Sequence, residues 1–121
     1  MRRGVISMCE ILPKADAAGV RLLLGDDYGG PGLPHGSFGP ELRTYVEDAA
    51  IAPLSVIRWA TRHGAELLGR DEDLGSIATG KLADLLVIDG DPSVDIGALA
   101  DSKPLAVLKD GQVVAGALPE T

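Results

Sequence analysis

Asp26 and Asp27 stand side by side where an apolar run, Val20 to Gly25 with only Arg21 polar, comes to an end. A loop rich in glycine and proline follows, and it carries His35, one of only two histidines in the chain. A carboxylate fixed at the end of a strand can take up and release protons for a reaction beside it. α/β enzymes place their chemistry at that carboxyl edge, in barrels and open sheets alike. A strand-end aspartate also serves as a turn or capping group, and the residues alone leave both roles open.

The elements that must position these groups read as α/β. Val5, Met8, Cys9, Leu12 and Ala15 recur at helical spacing over residues 5–18, with Pro13 expected to kink the helix and Gly19 to close it. Val20 to Gly25 then reads as a buried strand. Leu42, Tyr45, Val46 and Ala49 share one face of a helix over 41–49. Pro53 opens another helix that ends near Leu68 at Gly69. Two apolar stripes on that helix predict packing on more than one side: Leu54, Ile57, Gly64 and Leu68, and beside them Val56, Trp59 and Leu67. From Asp71 the texture becomes β-like. A very short strand is expected near Ile77, another over Leu85 to Ile88, and one helical turn over 96–100. Asp110-Gly111 between Leu105–Leu108 and Val113–Ala115 predicts a hairpin with a type I′ turn.

Composition narrows the function. The 121 residues carry a net charge of -7, which repels polyanions, and only 3% aromatics, which leaves little for base stacking. Nucleic acid is therefore not an expected partner. A single cysteine, Cys9, excludes an internal disulfide and a multi-cysteine zinc site, and it fits a reducing, cytoplasmic compartment. No run approaches the roughly 18 apolar residues of a membrane span, so no membrane partner is expected.

The runs AGVRLLLGDDYG, LPHGSFGPEL, APLSVIRWATRHGAELLG and DLGSIATGKLADLLVIDGDP, followed by AVLKDGQVV, resemble the C-terminal end of the amidohydrolase superfamily. The likeness is greatest to imidazolonepropionase- and prolidase-like metal-dependent hydrolases. It implies a C-terminal fragment of a TIM-like (β/α)8 barrel plus part of a small β-sandwich. Residues 1–70 would be the last βα segment of the barrel, and residues 71–121 the C-terminal strands of the composite sandwich. Gly25-Asp26-Asp27 aligns with the family's Gly-Thr/Ser-Asp. The resemblance thereby assigns Asp27 as metal contact and proton shuttle for hydrolysis of a carbon-nitrogen bond in a small-molecule amide.

The cofactor so implied is a divalent metal, zinc in the complete enzyme. Tyr28 and His35 are the substrate-binding candidates, each with an ordinary packing or solvated-loop role as its alternative. His63 reads as a helix-packing residue, and Lys81 and Asp84 as structural members of the signature. The family's His-x-His and its other ligands have no counterpart among His35 and His63, so this chain alone is expected to lack a complete metal site. Pairing with a barrel portion encoded elsewhere, or with a second copy of itself, follows as an expectation. The rival expectation is a non-catalytic structural or assembly fragment.

Overall fold

A computed structural model describes residues 2–25, 29–32 and 34–119, with side chains from Ser7 onward. Helix α1 (Arg2–Ala17) runs through Pro13 without a break. Proline removes only its own bond to the carbonyl of Cys9, and the turns on either side continue. The helix closes at Gly19, whose φ of 74° is left-handed. There the Gly19 N–H donates to Asp16 O and the Val20 N–H to Ala15 O, both at 3.0 Å. The same paired closure recurs at Gly69, φ 63°, where Arg70 N–H reaches Ala65 O at 2.9 Å.

Helix α2 (Gly39–Arg43) passes into a π-helical turn, Thr44–Asp48. Helix α3 (Pro53–Arg58) likewise passes through a π-helical turn, Trp59–His63, into α4 (Gly64–Leu67). Pro53 stands at the start of α3, where its missing N–H costs nothing. Leu42, Tyr45, Ala49, Ile51, Val56, Trp59 and Ile96 form the core, with Met8, Cys9 and Leu12 of α1 packed against it. Asp16 joins α1 to this core. One carboxylate oxygen accepts the Trp59 indole N–H and the other the Ser55 hydroxyl, each at 3.2 Å. Of the two expected stripes on 53–68, the one with Val56 and Trp59 is buried except at Leu67, which is 71% exposed, while Leu54 and Leu68 of the other are 62% and 71% exposed. The π-helical turn lets Ser55, Val56, Trp59 and Ala65 share the buried side, and that rotates the other stripe outward.

The second half of the chain holds one small sheet. β1 (Leu85–Val87), β2 (Ala106–Lys109) and β3 (Gln112–Gly116) pair antiparallel in that order. Asp110 and Gly111 both have positive φ, 49° and 75°, as the I′ turn requires. Val107 faces Ala115 and Leu108 faces Val113, so Val114 is the extra residue of a β-bulge. Helix α5 (Gly97–Ala100) supplies the expected single turn. No strand forms near Ile77, which is 90% exposed between Gly75 and Gly80, both with positive φ. A lone apolar side chain between two turn glycines has no second strand to pair with.

Besides Ile96 in the core, Gly39 and Arg43 join the halves. The buried Gly39 lies so near α5 that a Cβ there would come 2.0 Å from Ala100 O. Arg43 holds Asp101 with two nitrogens, Nε to Oδ1 at 2.9 Å, and also pairs with Glu47.

The two signature residues expected to be structural are so. Lys81 donates to the carbonyls of Leu74, at 3.0 Å, and Asp71, which closes the loop that ends the helical half. Asp84 accepts the Asp110 N–H at 2.7 Å and the Lys109 ammonium, which ties the start of β1 to the hairpin turn. Hydrogen bonding from Lys109, then from the Asp110 N–H, lowers the Asp84 carboxyl below its ordinary 3.8. A lowered folded value means that the tie is fully present above pH 3.8 and is lost as pH falls through the folded value. Protection of the Asp110 amide, taken relative to its intrinsic exchange rate, should therefore fall as pH drops below the ordinary aspartate range, and Asp84→Asn should remove that loss.

Candidate active site

Val20 to Gly25 leads from α1 toward the paired aspartates, and it has no strand beside it among the described residues. The expected buried strand is thus corrected to an extended segment outside any ladder. A strand needs a neighbour to pair with its N–H and C=O groups, and β1 to β3 all lie elsewhere in the chain. Leu22 and Leu24 are half-buried against the core, while Arg21, Leu23 and Gly25 are exposed, the alternation of extended chain.

Side chains from two helical stretches hold this segment in place. His63 Nδ1 lies 2.7 Å from Leu22 O, and since a carbonyl only accepts, Nδ1 carries the hydrogen. Arg21 pairs with Glu66 at 3.5 Å. At the far end the Gly25 N–H donates to Glu41 Oε1 at 3.1 Å, and the Tyr45 hydroxyl donates to the same oxygen. His63 is therefore the packing residue that its helical position implied. Glu41 escaped the sequence reading. Its signal was faint: an acidic residue in the first turn of a helix, one turn before a buried tyrosine.

Asp26, Asp27 and Tyr28 lie outside the described residues, so two of the three candidate site residues have no place here. His35 does. It is exposed, and its ring covers Gly29, where an added Cβ would lie 2.9 Å from Nε2. The loop thus folds back and carries the imidazole to the residue that follows Tyr28 in sequence. Gly29 has a φ of 94°, and the absence of a side chain makes room for the ring.

The described residues do not make a metal centre. No three His, Cys, Asp or Glu side chains among them converge as ligands. His63 is committed to Leu22 O, and Cys9 packs against the core on α1. A structural zinc site takes four ligands and a catalytic one commonly three. A cleft of about 520 Å³ opens between the start of α2, α5 and the sheet. Its walls are mostly apolar, with Phe38, Leu86, Leu99 and Val107, and its one carboxylate, Asp101, is held by Arg43. The cleft is a gap between layers and not the candidate centre.

A sequence model of the amidohydrolase family matches residues 5–114. The chain belongs to the amidohydrolase family. Solved amidohydrolase structures agree. A prolidase complexed with N-methylphosphonate-L-proline superposes with a TM-score of 0.79 at 35% identity, over 90% of this chain and 26% of that one. A Xaa-Pro dipeptidase with methionine bound in its active site gives 0.78 at 34% identity, over the same shares of the two chains. Adenine deaminase 4 of Rhizobium meliloti (strain 1021) is 35% identical over 69 residues, 57% of this chain and 11% of that protein. The chain thus spans about a quarter of the solved structures it matches and a smaller share of the deaminase. No helix among the described residues is long and apolar enough to cross a membrane.

In this amidohydrolase chain the imidazole of His63 stands in for part of a missing ladder. His63→Phe keeps the ring's bulk and removes the donor to Leu22 O. It should lower stability by about 1 kcal/mol in a denaturant titration, with amide exchange rising first over 20–25.

Proposed function

We propose that the chain is the C-terminal part of a metal-dependent amidohydrolase that cleaves carbon-nitrogen bonds, in a dipeptide or a non-peptide amide, with an activated water. The observation that carries this reading is the family match across 5–114, with Gly25-Asp26-Asp27 falling at the end of the extended segment. The names of the matching proteins, prolidase, Xaa-Pro dipeptidase and adenine deaminase, support carbon-nitrogen chemistry of this kind. In such enzymes a divalent metal, zinc in this proposal, supplies water of lowered pKa and a polarised carbonyl.

Asp27 is the residue of this chain assigned to the chemistry. Its carboxylate takes a proton from the attacking water and returns it to the leaving nitrogen, which departs poorly as an anion. Tyr28 and His35 flank the substrate. His35 is the better supported of the two, because the loop returns its ring to Gly29. The remaining ligands come from outside this set of residues, and the chain alone is proposed to be inactive.

A second reading takes the chain as a structural or assembly part that pairs with a separate barrel chain or with a second copy of itself. The ladder-free segment at Val20–Gly25 and the complete exposure of β3 favour it.

The two readings part on one substitution. In the assembled enzyme, Asp27→Asn should reduce turnover by about 10²- to 10⁴-fold while leaving the unfolding transition in place. Full retained activity would end the catalytic assignment. The 121-residue chain alone should purify with well under one equivalent of zinc. Stoichiometric metal would contradict the proposal that its site is incomplete.

A further inference from the structure

The end of the extended segment is held by a carboxylate that is itself fixed to the core. Glu41 Oε1 accepts the Gly25 N–H at 3.1 Å and also the hydroxyl of Tyr45. Tyr45 is only 7% exposed, and its ring meets that of the buried Trp59 edge-on with centroids 5.6 Å apart. The indole of Trp59 is tied in turn to Asp16 at the end of α1. The Gly25 peptide is therefore tied to the buried core. A peptide N–H already given to a carboxylate is not available to a strand alongside, and a hydrogen bond to an ionised acceptor is the stronger of the two.

We propose that Glu41 caps the strand end. It holds the Gly25 N–H so that any ladder formed with an adjacent strand stops at Leu24, and it fixes the peptide that precedes Asp26 and Asp27 in sequence. This rests on the reading of Asp27 given above. Glu41 is then a positioning residue, acting through the Gly25 peptide.

The test is made on the isotope-labelled 121-residue chain by nuclear magnetic resonance. In Glu41→Gln the acceptor remains but loses its charge, so the Gly25 amide proton should move upfield while that of Leu23 stays in place. In Glu41→Ala the exchange rate of the Gly25 amide should rise roughly two- to tenfold, and Glu41→Gln should keep most of the protection. Where Glu41→Ala does not fold, the Glu41→Gln shift decides alone.

In the assembled enzyme Glu41→Ala should lower kcat by about a hundredfold with little change in KM, and Glu41→Gln should restore most of it. An unmoved Gly25 amide in Glu41→Gln overturns the cap whatever Asp27 does. A moved Gly25 amide beside a fully active Asp27→Asn enzyme overturns the catalytic assignment and leaves the cap standing.

Discussion

Main-chain polar groups need partners, and among the described residues Val20 to Gly25 has no strand on either side to supply them. The structure meets that demand with side chains. The Leu22 carbonyl goes to His63, the Gly25 N–H to Glu41, and Arg21 is drawn down by Glu66. The Val20 N–H goes back to Ala15 O at the end of α1. Everything proposed for the site depends on this arrangement, because the paired aspartates begin where the last of these bonds is made. Two half-buried leucines, Leu22 and Leu24, give the segment its inward face, and the bonds set its direction.

Those side chains work because they rise from a packed core. Trp59, 1% exposed, and Val56, fully buried, sit between the α2 and α3 stretches. Ile96 brings the second half of the chain into the same core. The close passage of Gly39 against Ala100 and the Arg43 fork on Asp101 lock α5 onto α2. The helical half and the β element are consequently packed as neighbours, although the sequence changes texture sharply at Asp71. The sheet is less complete. All of β3 is exposed, as is Leu86 at 55%, which leaves apolar side chains of a small sheet facing solvent. Three strands with one helical turn behind them bury little apolar area.

Elements whose stop signals are local were legible in the sequence. Gly19 and Gly69 close helices because only glycine takes a left-handed φ without strain, Pro53 opens one, and Asp110-Gly111 turns the hairpin. Features that depend on what lies alongside were not. The apolar run at 20–25 has the composition of a buried strand, yet a ladder is a property of two segments, and composition reports only one. The stripe of Leu54 and Leu68 on 53–68 stays exposed, as does Leu67, because helical spacing does not say which faces find a neighbour. Pro13 lies inside a helix that packing of Met8, Cys9 and Leu12 carries through. Of the site, His35 and its loop are seen, Glu41 was hidden in an ordinary helix start, and Asp26, Asp27 and Tyr28 lie outside the described residues.

The proposed function rests on one claim, that this chain delivers a working carboxylate to a metal-dependent hydrolytic centre built mostly from other residues. A crystal structure of the assembled enzyme with its metal bound tests it most directly. The account predicts a carboxylate oxygen of Asp27 at about 2.0–2.2 Å from the ion, or one hydrogen bond away through its bound water. An Asp27 side chain turned into the protein or toward solvent, with the metal held and its water contacted by other groups alone, would contradict it.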